Sequence, residues 1–122
     1  MKPTFIKGYR ADTAIAPYRF VAYAPDEGGA IQSTAAADAM LGVSGSLGAD
    51  PGQQVDVTRQ GIGEVEYGAA IAYGDPLTAN ADGKAVVAAA GEPYAARAEH
   101  DGTAGVIGHV WLEAGVVPAA GA

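Results

Sequence analysis

A chain of 122 residues with a formal net charge of −7 reads as one domain, and its acidity argues against nucleic acid as a partner, because phosphate contacts need clustered Lys and Arg. It has no cysteine and only two histidines, which excludes disulfides, Cys-based metal sites and a structural zinc with four good ligands. No apolar run approaches the roughly 20 residues of a membrane-spanning helix.

Residues 1–17 carry Pro3 and Pro17 and no clean period, so they read as an extended N-terminal arm, with Thr4-Phe5-Ile6 as a short edge strand. Residues 18–114 read as the β domain. Tyr18 to Ala24 is rich in β-formers, Pro25 to Gly29 is a turn, and Ala30 to Ser33 returns to complete a first hairpin. Thr34 to Met40 is the one good helical stretch, capped by Thr34 and too short for more than about two turns. Leu41 to Leu47 alternates Leu41, Val43, Gly45 and Leu47 on one face, as a strand facing close backbone would. After the Ala49-Asp50-Pro51-Gly52 turn, Gln54 to Gln60 is the clearest two-faced strand, with Val55 and Val57 inward and Asp56 and Thr58 outward.

In Ile62 to Tyr67, Ile62 and Val65 share a face only if Gly63 forms a bulge. Ala69 to Tyr73 continues the strand pattern until Gly74-Asp75-Pro76 turns the chain. Leu77-Thr78 and Lys84 to Ala88 flank a hairpin loop at Asn80-Ala81-Asp82-Gly83. Tyr94 to Ala98 is a weaker strand, and Gly105 to Leu112 is the most hydrophobic and anchors the core. Residues 115–122, Gly, Ala, Val and Pro, read as a flexible C-terminal tail. Turn signals every 8–12 residues or so predict a mainly β fold, a small β-barrel or sandwich with one short helix and the extended arm.

Charge is unevenly placed. Residues 1–19 hold Lys2, Lys7, Arg10 and Arg19 against Asp12 alone, whereas Arg59, Lys84 and Arg97 face every other acid. The basic end predicts docking on an acidic partner surface. Alanine supplies 28 residues and glycine 18, leaving only 32 large apolar side chains for a core. At about 1.5–3 kcal/mol for each one buried, the margin over backbone entropy is thin. Burial between subunits relieves it, so the chain is expected to self-associate.

The residue types that perform chemistry occur without the arrangements it needs. Gly61-Ile62-Gly63 opens like a dinucleotide fingerprint, but Glu66 takes the third glycine position. Gly42, Gly45 and Gly48 mark close backbone approach. His100 lies between Glu99 and Asp101, a surface ion pair, and His109 alternates in the terminal strand at an exposed or interface position. Serines 33, 44 and 46 fit no nucleophile elbow. Glu64 and Glu66 share a strand face, the type of pair that hydrolyses glycosides, although keeping an exposed strand soluble is the simpler role. Asn80 to Gly83 lacks the later glutamate of a calcium loop. Lys84 follows a hairpin tip but lacks the flanks of a lipoyl or biotinyl carrier lysine. The expectation is a non-enzyme with no cofactor and no metal; a small β-barrel carrier or ligand-binding module is the alternative.

Several blocks carry a family resemblance: Tyr18-Arg19-Phe20-Val21, Leu41-Gly42-Val43-Ser44, Gly52 to Val57 leading into Gly61-Ile62-Gly63-Glu64-Val65, Gly74-Asp75-Pro76-Leu77-Thr78, and Ala81-Asp82-Gly83-Lys84-Ala85-Val86. In this order, with Gly105 to Leu112 as a closing strand, the chain resembles the capsid cement (head decoration) proteins of tailed bacteriophages. The resemblance implies a structural protein on the outside of the virion's icosahedral head, commonly a homotrimer at local three-fold positions, that clamps neighbouring major capsid protein subunits. It also implies capsid contacts in the N-terminal region, which here means Lys2, Phe5, Ile6, Lys7, Tyr9 and Arg10, with an arm separable from the folded body. No direct nucleic-acid contact and no membrane are expected, and MKPTFIKGYR lacks the apolar core of a secretory signal, so synthesis in the host cytoplasm is expected.

Overall fold

The computed structural model describes residues 5–35 and 40–118. They form nine strands: β1 Phe5–Ala11, β2 Phe20–Tyr23, β3 Gly29–Gln32, β4 Met40–Val43, β5 Gln54–Glu66, β6 Pro76–Ala79, β7 Ala85–Val87, β8 Pro93–Ala98 and β9 Ile107–Val116. The sheet order is β1-β3-β2-β4-β5-β9-β8-β6-β7, and β1 also pairs with β5. The first five strands therefore close on themselves into a barrel, and the remaining four extend from its longest strand.

That strand is β5. Its odd positions Val55, Val57, Gly61, Gly63 and Val65 are buried, so one alternation runs its whole length. The N-terminal half pairs antiparallel with β1, from Arg10↔Gln54 to Ile6↔Thr58 and, after a register shift that leaves Arg59 without a partner on β1, at Phe5↔Gln60. At Gly61, whose φ of 87° suits glycine, the strand leaves β1 and takes up β9, from Gly61↔Leu112 to Glu66↔Ile107. The β5–β9 register is unbroken, so Gly63 forms no bulge, and Ile62 stays on the face opposite Val65, directly across from Trp111. Gly63 is needed because a Cβ there would press on the Val43 side chain, 2.6 Å away.

Two apolar cores follow from this division. Tyr9, Ala11, Ile15, Val21, Ala30, Leu41, Val55 and Val57 fill the barrel. Phe20, Val43, Val65, Tyr67, Leu77, Val110 and Leu112 pack with small alanines beneath the second group of strands. The β6–β7 loop ties the halves together: Phe20 N–H donates to the Gly83 carbonyl (2.8 Å), and Gln32 Nε2 donates to that of Asp82 (2.9 Å).

The two expected hairpins are β2–β3 and β6–β7, each turning through a glycine with positive φ, Gly28 at 76° and Gly83 at 74°. The expected short helix is not there. Thr34 and Ala35 lie outside any helix and Met40 already opens β4 across from Ala22, which leaves no room for two turns; residues 36–39 lie outside the described residues. A run of alanines without an apolar stripe to bury gives a helix little beyond propensity, and Met40 at its end is taken up by β4. The strand expected to reach Leu47 stops at Val43, because Gly45 turns the chain with φ 72° and Leu47 is left 77% exposed. Ala69 to Tyr73 keeps a single bridge, Ile71↔Gly102. Gly115 and Val116, read as the start of a tail, are the last residues of β9, paired with Tyr94 and Pro93.

Candidate functional site

The stretch read as an arm supplies a wall of the barrel. Lys7, Tyr9 and Ala11 lie on one face of β1, and Tyr9 (8% exposed) and Ala11 sit in the barrel core. Phe5 and Ile6, 53% and 55% exposed, are the N-terminal apolar side chains left free for a partner, and Lys2 lies outside the described residues. Ile6 and Leu47 flank a shallow cleft floored by Ser44, Asp56 and Thr58. Two of the basic residues in 1–19 are paired within the molecule. Arg10 pairs with Asp12 (2.9 Å), and Arg19 pairs with Glu66 (3.0 Å).

Lys7 is different: among the described residues its ammonium has no carboxylate partner, and it lies 5.3 Å from the centre of the Tyr9 ring. The Tyr9 hydroxyl accepts a bond from Arg59 Nη1 (2.9 Å), and the Tyr23 hydroxyl accepts from Arg59 Nη2 (3.2 Å). All four side chains occupy positions that continue inward-facing alternations: Val55, Val57, Arg59 on β5; Val21, Tyr23 on β2; Lys7, Tyr9, Ala11 on β1. They close one mouth of the barrel beside a cleft of about 450 Å3 bounded on its far side by the Pro25 to Gly29 turn. Sequence reasoning missed Arg59 and Tyr23, although extending the Val55, Val57 alternation by one step leads to Arg59.

The other residues weighed for chemistry are held in structural roles. Glu66 accepts from Arg19 and pairs with Lys84 (3.1 Å), and the bond with Lys84 chiefly, then those with Arg19, lowers its pKa against the opposing effect of burial. Glu64 instead faces His109 at 3.6 Å, so the two carboxylates serve separate partners. His100, whose ring sits 5.8 Å from that of His109, accepts the His109 backbone N–H on Nε2 (3.0 Å) and so carries its own proton on Nδ1, aimed at the Asp101 carbonyl (2.8 Å). Asn80 Oδ1 caps its own loop by accepting from Asp82 and Lys84 N–H. Gly42 and Gly48 mark close approach, as read, since a Cβ at either would overlap the carbonyl of Thr58 or Ile15; Gly45 does not, for a Cβ there would meet open space and its positive φ is what suits glycine. Among the described residues no group of three or more His, Cys, Asp or Glu is placed to hold a metal ion.

No protein-family model matches the chain, and no curated protein does. Its fold matches the crystal structure of the head fiber gp8.5 N base of bacteriophage phi29 with a TM-score of 0.69, over 91% of this chain and 95% of the other, at 19% sequence identity. At that identity the likeness establishes a shared architecture, a mainly β fold built around a closed barrel.

Proposed function

We propose that this chain is a structural protein of a bacteriophage head. In this reading it binds the outer surface of the assembled shell as a homotrimer and stabilises contacts between major capsid protein subunits. The observation that carries the reading is the near end-to-end likeness to the base of a phage head fiber. The resemblance of the ordered sequence blocks to capsid cement proteins points the same way. The exposed Phe5 and Ile6 on β1 form the contact to the shell, while Leu47, Tyr73, Trp111 and Val116, all exposed in the single chain, are the apolar side chains available to a trimer.

Because the neighbour is the base of a fiber, anchoring a projecting fiber is a second reading on the same surface; electron micrographs showing a stalk on each decorated site would favour it. The test of head binding uses heads of the source phage assembled without this protein. Wild type is expected to co-sediment with them saturably, and a Phe5→Ser/Ile6→Ser double variant, which touches no core contact, is expected to lose binding while keeping its melting temperature. Absence of binding by the wild type sinks the proposal.

A further inference from the structure

The chain has twice as many acidic as basic side chains, so an unpaired cation needs a reason. Among the described residues, Arg10, Arg19, Lys84 and Arg97 each reach a carboxylate within 4 Å, as Asp12, Glu66 and Glu113 show. Lys7 and Arg59 do not, and they are the two that share the barrel mouth. Arg59 is pre-organised there: two of its N–H groups are held by tyrosine hydroxyls, and the rest of its donor fork is unspent. Asp26 and Glu27 stand on the opposite wall of the cleft without reaching either cation.

Beside this mouth runs an unpaired strand edge. Ala11 N–H donates toward β5, to Gln53, whereas Arg10 and Asp12 N–H donate the other way, to Gly28 and Ala30. By the alternation of a β-ladder, the main-chain groups of Ile6 and Gly8 point the same way as those of Arg10. There β3 is already gone: β1 meets it only at Arg10 and Ala11. No described residue pairs with β1 along that edge from Phe5 to Tyr9. A second cleft of about 410 Å3 borders Gly8 and meets the mouth cleft at Tyr9 and Gly28.

From these two features together we infer that the barrel mouth receives an extended acidic segment of the partner protein. The segment pairs as a strand with Ile6 and Gly8 and sets one carboxylate against Lys7 and Arg59 between the two tyrosines. Asp26 and Glu27 line the same cleft and oppose a large build-up of negative charge, which disfavours nucleic acid as the occupant. The inference gives the contact chemistry for the head-binding reading above and rests on that reading only for whose segment it is.

The test is an NMR titration of the full chain with three probes: an end-blocked peptide of alternating Val and Thr carrying one central Glu, the same peptide with Gln, and inorganic phosphate. The Glu peptide is expected to shift the Ile6 and Gly8 amides and the Tyr9 and Tyr23 ring signals. The Gln peptide is expected to bind roughly tenfold more weakly, the loss of one charge-assisted contact. Arg59→Gln is expected to cost a similar factor, as is Lys7→Gln, an exposed change that keeps the test alive should the arginine variant misfold. Lys84→Gln, at a cation that pairs with Glu66 beside Phe20, the end of β2 opposite Tyr23, leaves binding unchanged. Equal affinity for the two peptides, no binding of either, indifference to both mouth substitutions, or phosphate binding as tightly as the Glu peptide would each overturn the inference. Should it fail while heads are still decorated, the capsid reading stands; should the peptide bind and the heads not be decorated, the capsid reading alone falls.

Discussion

Gly108→Ala tests how the second core is packed. Gly108 lies on β9 opposite Val65, and a Cβ there would overlap the ring of Tyr67, while a Cβ at Gly102 would meet the other edge of the same ring at 2.7 Å. Tyr67 cannot step aside: it is fully buried and its hydroxyl donates to the His100 carbonyl (3.0 Å). In open space the substitution would stabilise the strand by about 0.4–1 kcal/mol through the unfolded state. Overpacking against an immobile ring costs about 1–3 kcal/mol or more, so the net expectation is a loss of about 2 kcal/mol. Tyr67→Leu removes the ring, and in that background the added methyl should cost less than about 0.5 kcal/mol. Urea unfolding followed by the fluorescence of Trp111, the single tryptophan, measures all four corners of this cycle. A Gly108→Ala variant as stable as wild type, or one equally destabilised in both backgrounds, would refute the packing argument.

Glu66→Gln removes the shared anion between Arg19 and Lys84 and is expected to cost about 1–2 kcal/mol at neutral pH, measured by urea unfolding. Because its pKa is lowered in the folded protein, Glu66 contributes fully above the ordinary glutamate range, and the contribution fades as pH falls through the lowered value; the wild-type advantage over Glu66→Gln should therefore vanish in acid. Thr78 is buried on β6 with its hydroxyl unpartnered, so Thr78→Val, which keeps the shape, should stabilise by about 1 kcal/mol in thermal melts. Removing residues 1–11 deletes a wall of the barrel and exposes Val55 and Val57, so the truncated chain should lose its cooperative transition and its near-ultraviolet circular dichroism, against the expectation of a separable arm.

Local signals carried the hairpins and the first half of β5, whereas its second half was read as a separate stretch with a bulge at Gly63 that the unbroken β9 register lacks. Gly28 and Gly83 mark turns that only glycine takes easily, and Val55 and Val57 set an alternation that persists to Tyr67. Closure of the barrel was not legible, because it joins β1 to a strand about 50 positions later and only Tyr9 and Ala11 on β1 are buried, too few to register as a two-faced pattern. The helix failed for the opposite reason: Thr34 to Met40 has propensity but nothing to bury along one side, and Met40 belongs to the β2–β4 pairing. Of the residues expected to contact the capsid, Phe5, Ile6 and Lys7 are exposed, Tyr9 is in the core and Arg10 is paired with Asp12. Arg59 was passed over because a charged residue rarely continues an inward alternation; at a barrel mouth, where the wall meets water, it does so with two tyrosines to hold it.

The account stands or falls on where this protein sits in a virion. Cryo-electron microscopy of heads reconstituted with purified protein measures that directly. The account predicts three-fold clusters of barrel-shaped density on the outer surface, with Phe5, Ile6 and the unpaired edge of β1 turned toward the shell. Bare heads at saturating protein, or density that meets the shell through β6 and β7 with β1 facing solvent, would contradict it.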